Sequence, residues 1–208
     1  FGWPLSIWLT ISLALQFFDR FFINYYFDYN LTGVFAGFYD LVVRIFSIII
    51  FPITMAVHPR MMSLWNKSNY SDAISILKIA MLIQFLIFSC IYILLQLFFE
   101  GISNSLLWLF SDLNPQYLHL LNPLLIGGFI WQFALLIHKP IELNKNTHLM
   151  LISILIALII NLIGNIFFLP KYGLIATAYS FILSGTVYVI SSTIISISFY
   201  KKMFAIPN

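Results

Sequence analysis

Six stretches of this 208-residue chain are each apolar over about 20 residues or more, the length a helix needs to cross the hydrocarbon of a bilayer. They fall at about residues 5–25, 34–57, 74–99, 117–138, 149–169 and 174–200. Polar or helix-stopping residues cluster in the connections between them, at 26–33 (Asp28, Asn30, Gly33), 58–73, 100–116, 139–148 and the short 170–173. A water-soluble globule must cover its surface with polar groups, and this sequence lacks them. It is 62% hydrophobic and 8% charged, against about 25% charged in an ordinary soluble domain. The expected fold is therefore all-α, a polytopic membrane protein in which residues 1–208 form a single six-transmembrane-helix bundle.

Charge placement gives an orientation. Arg60 and Lys67 lie in the second connection, Lys139 and Lys145 in the fourth, and Lys201 and Lys202 follow the last span; the first and third connections carry no Lys or Arg. By the positive-inside rule these basic segments and both chain ends are expected on the cytoplasmic side, with Lys171 the exception. Tyr25, Tyr26, Tyr29, Tyr117 and Tyr172 then sit at the outer boundary, and Trp65 and Tyr200 near the inner one. Lys78 is placed to snorkel to the inner headgroups, and Leu106 to Phe110 form an apolar run too short to span, expected in the outer interface. The net charge of +3 is scattered, with no basic stripe interleaved with aromatics, so no nucleic-acid partner is expected. Cys90, alone in an apolar run, reads as a small buried hydrophobe. The chain begins at Phe1 rather than Met, without a cleavable signal pattern, and more protein is expected to precede it.

The stretch 17–51 places Asp19, Arg20, Asp40 and Arg44 in otherwise apolar sequence. Charged side chains at mid-bilayer cost about 2.5–3.5 kcal/mol or more and usually face a bundle interior or a watery cavity. Gly33, Gly37, Asp40, Arg44 and Ser47 advance by alternating steps of four and three and so share one helical face. The two glycines invite close approach of another helix. In the first span, Ser12, Gln16, Arg20 and Asn24 make a second polar stripe, and pairing between Arg20 and Asp40 is geometrically open. Arg44, halfway along its span, has two readings. Either Asp40 neutralises it across one helical turn, or it offers a bidentate anion site in a cavity, with Asp40 or Asp19 tuning it or binding a coupling cation.

The other polar residues read as packing. Gly127, Gly128 and Gln132 suit close helix contact, and Asn161 and Asn165 share a face suited to interhelical hydrogen bonds. His58, His119, His138 and His148 sit near span ends as interfacial histidines, none at metal-ligand spacing. The chain has no nucleophile elbow, phosphate-binding glycine loop or zinc-protease motif, so neither catalysis nor a cofactor or metal is expected. Three Asn-x-Ser/Thr triplets, beginning at Asn30, Asn66 and Asn69, are short enough to arise by chance.

Three blocks carry a family likeness: His138-Lys139-Pro140-Ile141-Glu142-Leu143-Asn144-Lys145-Asn146-Thr147, then Asn161-Leu162-Ile163-Gly164-Asn165, then Leu169-Pro170-Lys171-Tyr172-Gly173-Leu174-Ile175-Ala176-Thr177-Ala178. With Asp19-Arg20, Gly37-Phe38-Tyr39 and Arg44 upstream, they make the chain resemble the C-terminal lobe of bacterial polysaccharide-export flippases. These are the O-antigen type, lipid-linked oligosaccharide branch of the superfamily that includes multidrug and toxic-compound extruders. Thr177 stands where a small residue is usual. Pro170 is expected to stop the fifth helix and Gly173 to allow the reversal.

The resemblance implies two six-helix lobes around a cavity open alternately to each side of the inner membrane. The substrate it implies is a lipid-linked, polyprenyl pyrophosphate oligosaccharide for surface polysaccharide or lipopolysaccharide. Arg44, and less directly Arg20, would contact phosphate or acidic sugar, with Asp19 and Asp40 serving charge balance or ion coupling. Membrane lipids and either a missing N-terminal lobe or a second copy are the implied partners, since one lobe has nothing to rock against. A drug or small-cation exporter of the same superfamily, and a non-transporting scaffold or polymerase module of envelope glycan assembly, are the alternatives. Arg44 at mid-depth weighs against the first, and the modest, Lys/Arg-free third connection against a polymerase.

Overall fold

The computed structural model describes residues 2–109 and 114–204, the side chains of Gln16, Leu109 and 199–204 excepted. The roles expected of Gln16, Phe110, Tyr200, Lys201 and Lys202 lie outside the described residues. The chain is all-α: α1 (Gly2–Tyr26), α2 (Tyr29–Asn66), α3 (Tyr70–Leu97), α4 (Phe99–Leu109), a 3-10 turn (Pro115–Leu120), α5 (Leu121–Ile137), α6 (Lys139–Leu143), α7 (Thr147–Tyr172) and α8 (Leu174–Phe204). Among the described residues, six segments are long and apolar enough to cross a membrane, and the 3-10 turn, α5 and α6 together make the fourth of them.

The second helix is longer than its apolar core. The Asp28 side chain accepts a hydrogen bond from the Leu31 amide at 2.7 Å, so α2 starts at Tyr29 and absorbs Asn30 and Gly33, which the sequence placed in a connection. At its far end α2 runs to Asn66 past two internal prolines, Pro52 and Pro59. Its 38 residues span about 57 Å at 1.5 Å per residue, well beyond a hydrocarbon core of about 30 Å, so the Lys67 end projects past it. Asn69 then caps α3, its side chain accepting from the Asp72 amide. Pro170 does not stop its helix; α7 continues to Tyr172. The break falls at Gly173, whose φ of +69° suits glycine and turns the chain into α8.

At the centre is α5, buried along most of its length, while α3 at the periphery is largely exposed. The helices α7 and α8 pack as an antiparallel hairpin, α5 lies on α8, α1 on α7, and α2 on α3 and α5. Close approach is made by glycines, at Gly127 as expected but not at Gly33 and Gly37. A Cβ at Gly127 would meet Phe181 at 2.5 Å, one at Gly164 would meet the Ser180 side chain, and one at Gly185 would meet Ile130 at 3.0 Å. Gly33 and Gly37 have nothing within 4 Å of where a Cβ would stand, so within this bundle they mark an open face. Cys90 is exposed rather than buried, because α3 presents most of its circumference outward.

The glycine contacts separate two substitutions. Gly164→Ala is expected to destabilise the bundle in detergent by about 1–3 kcal/mol, because Ser180 Cβ already lies 2.8 Å from the added methyl. Gly33→Ala should be neutral or stabilising by up to about 1 kcal/mol, from helix propensity alone. Chemical denaturation of the two purified variants checks the difference.

Candidate functional site

Residues 19 and 20 are neighbours on α1, but successive helical side chains point about 100° apart, and these two reach different helices. The Arg20 guanidinium donates from Nη2 to Asp40 Oδ1 on α2 at 2.6 Å. It also lies 5.5 Å from the ring centre of Phe17 and 5.8 Å from that of Tyr39, distances at which a ring face attracts a cation. The other Asp40 oxygen faces Arg44 Nη2 at 3.6 Å. One carboxylate thus stands between two guanidiniums, with the shorter contact going to Arg20. The Arg44 side chain remains 76% exposed, so Asp40 is beside it without enclosing it. On the same face of α2, Ser47 is turned to the bundle and accepts from Gln132 Nε2 at 2.9 Å.

Asp19 turns inward and is fully buried against α7. Asn165 Nδ2 donates to its Oδ1 at 2.8 Å and lies 3.1 Å from both the Asn161 backbone carbonyl and Asn161 Oδ1. Of the two asparagines, Asn165 makes the interhelical bond their shared face implied, to a carboxylate, while Asn161 bonds Asn165 within α7. The satisfaction is incomplete. Asp19 Oδ2, Asn161 Nδ2 and Asn165 Oδ1 are buried without a protein partner, as are Tyr39 Oη on α2 and Arg20 Nε on α1. No group of three or more His, Cys, Asp and Glu able to hold a metal occurs among the described residues. The acidic and amide oxygens around Asp19 are hard donors, suited to a proton or a small monovalent cation rather than a transition metal.

A second polar group lies at the opposite end of the bundle. His138 is not interfacial but 2% exposed, in the bend between α5 and α6. Trp8 Nε1 donates to the Tyr188 hydroxyl at 2.9 Å, and that hydroxyl lies 3.1 Å from His138 Nδ1. Lys139 donates to Glu142 Oε2 at 2.7 Å across the first turn of α6, where Pro140 fits because a first-turn amide has no helical acceptor. Nothing in the sequence singled out Trp8 or Tyr188, which lie 180 residues apart inside apolar runs. Of the remaining histidines, His119 and His148 are exposed and His58 is half-buried.

The geometry thus joins Arg20, Asp40 and Arg44 at the α1–α2 seam, joins Asp19 with Asn161 and Asn165 at the α1–α7 seam, and keeps Lys139 and Glu142 apart from both. Gly33 and Gly37 lie on the open face that also bears Arg44. Pro170 and Gly173 shape the α7–α8 turn. No family model, curated protein or solved structure matches this chain.

Proposed function

We propose that this chain is one lobe of a flippase that moves lipid-linked oligosaccharide across the bacterial inner membrane by alternating access around a cationic cavity. The observation carrying this reading is Arg44, a guanidinium half-way along a membrane-length helix with most of its side chain exposed. Exposure of that kind to hydrocarbon is costly, so the face bearing Arg44, Gly33 and Gly37 calls for a polar environment supplied from outside this bundle. A second lobe across a water-filled vestibule supplies one. Asp40 is already engaged by Arg20, so the seam as a whole carries one uncompensated positive charge, suited to a pyrophosphate or an acidic sugar. The cation-selective exporter reading draws on Asp19, but that carboxylate is buried behind α1 and away from the open face, where it serves coupling better than cargo. The orphaned oxygens and amide of Asp19, Asn161 and Asn165 suit a coupling proton or small monovalent cation and support that part of the reading.

Arg44→Ala is expected to reduce surface glycan export at least about tenfold while the protein still reaches the membrane in normal amount. Export at the parent level would remove Arg44 from the mechanism. Asp19→Asn is expected to leave membrane levels intact but abolish the dependence of export on an imposed ion gradient, measured in inverted vesicles. An unchanged gradient dependence would rule out coupling at Asp19. The orientation is checked in a Cys90→Ser background, where Lys67→Cys should react with an impermeant thiol reagent only from the cytoplasmic side and Asn104→Cys only from the outside. The reverse labelling would invert the topology.

A further inference from the structure

At the end of the bundle that carries Lys67, α1 and α2 part, and a cavity of about 300 Å³ opens between Leu5 and Leu9 of α1, Phe51 and Thr54 of α2, and His138, Lys139 and Glu142 of the α5–α6 bend. None of the charges in the Arg20–Asp40–Arg44 seam lines it. The polar atoms at its wall are set by a chain of hydrogen bonds. An indole nitrogen only donates, so the Tyr188 hydroxyl accepts from Trp8, and the same hydroxyl lies within hydrogen-bond distance of His138 Nδ1. His138 Nε2 lies 4.0 Å from Glu142 Oε2, too far for a hydrogen bond. Thr54 Oγ1 accepts from Gln84 at 3.1 Å and keeps its own O–H to donate. The wall therefore offers an imidazole nitrogen, an ammonium, a hydroxyl and a carboxylate, with leucines and a phenylalanine beside them.

We propose that this cavity is a sugar-binding subsite for a neutral pyranose ring of the transported glycan, separate from the anion-binding Arg44. The inference rests on the flippase reading above, and three features point to the ligand class. One ammonium and one carboxylate within 2.7 Å of each other cancel, so the site favours neither an anion nor a cation. Donors and acceptors interleaved with apolar wall match a ring that alternates hydroxyls with C–H faces. The volume lies at the small end of ligand pockets, about 300–1,000 Å³, the size of one or two rings rather than a whole repeat unit.

The test uses the purified full chain in lipid nanodiscs, titrated with free galactose, N-acetylglucosamine and rhamnose and read by tryptophan fluorescence and by calorimetry. A saturable response to at least one sugar is expected. Its fluorescence part should disappear in Trp8→Phe, and its affinity should fall at least about tenfold in both Glu142→Gln and Thr54→Val, each checked for an unchanged helical signal and melting temperature. Arg44→Ala should leave it unaltered. Absence of a saturable response by both methods, a response that survives both Glu142→Gln and Thr54→Val, or one abolished by Arg44→Ala overturns the subsite. Where export still fails in Arg44→Ala but no sugar response is found, the flippase reading stands and this inference alone falls.

Discussion

Asp40 is a single carboxylate between two guanidiniums, and the bundle's electrostatics follow from how it divides itself. Arg20 takes one oxygen at 2.6 Å from another helix, while Arg44 reaches the other only at 3.6 Å from one turn away on the same helix. The interhelical contact is the closer of the two, so the carboxylate acts first as a clasp between α1 and α2. What remains on Arg44 is an unspent positive charge on a face that this bundle leaves open. Asp19, one residue before the clasp, ties α1 to α7 through Asn165. A single turn of α1 thus reaches two neighbouring helices by polar contacts, in a chain where most other contacts are non-directional.

Polar groups in this molecule are consequently sorted by depth and by neighbour. The α1–α2 seam holds the exposed charge, the α1–α7 seam holds a sealed carboxylate with orphaned partners, and the α5–α6 bend holds a neutral cluster around His138. Between them lie α5 and the α7–α8 hairpin, where Gly127, Gly164 and Gly185 let helices approach closely. Three chemistries are held apart by apolar packing. In the function proposed above, that separation keeps a coupling ion, an anionic head and a neutral ring from competing for the same atoms.

The spans were legible because apolar length is a strong signal, and all six appear where hydropathy placed them. Their ends were less so. The start of α2 depended on the side chain of Asp28 acting as a cap, and its far end on an extension past the hydrocarbon, neither of which raises hydropathy. Pro170 was a misleading stop because α7 runs two residues past it and the reversal is made at Gly173. The charged quartet was visible as charges in apolar sequence, and the Arg20–Asp40 pairing was open from their positions. Which residue each would choose was not, because helical rotation sends Asp19 and Arg20 to different partners. Glycine spacing alone cannot tell a contact face from an open one, so Gly33 and Gly37 read like Gly127 and Gly164. His138 was misplaced because its burial is created by Trp8 and Tyr188, from opposite ends of the chain.

Pro52 adds a mechanical element to α2. Proline donates no backbone hydrogen bond and crowds the carbonyl four residues earlier, here that of Ile48, so the helix is weakest between Arg44 and Thr54. On one side of that point the clasp to Arg20 holds α2 to α1; on the other, Gln84 holds it to α3 through Thr54. The helix is thereby tied to a neighbour on each side of Pro52, to α1 through Asp40 and to α3 through Thr54, so the residue that cannot donate within the ladder is bracketed by polar contacts.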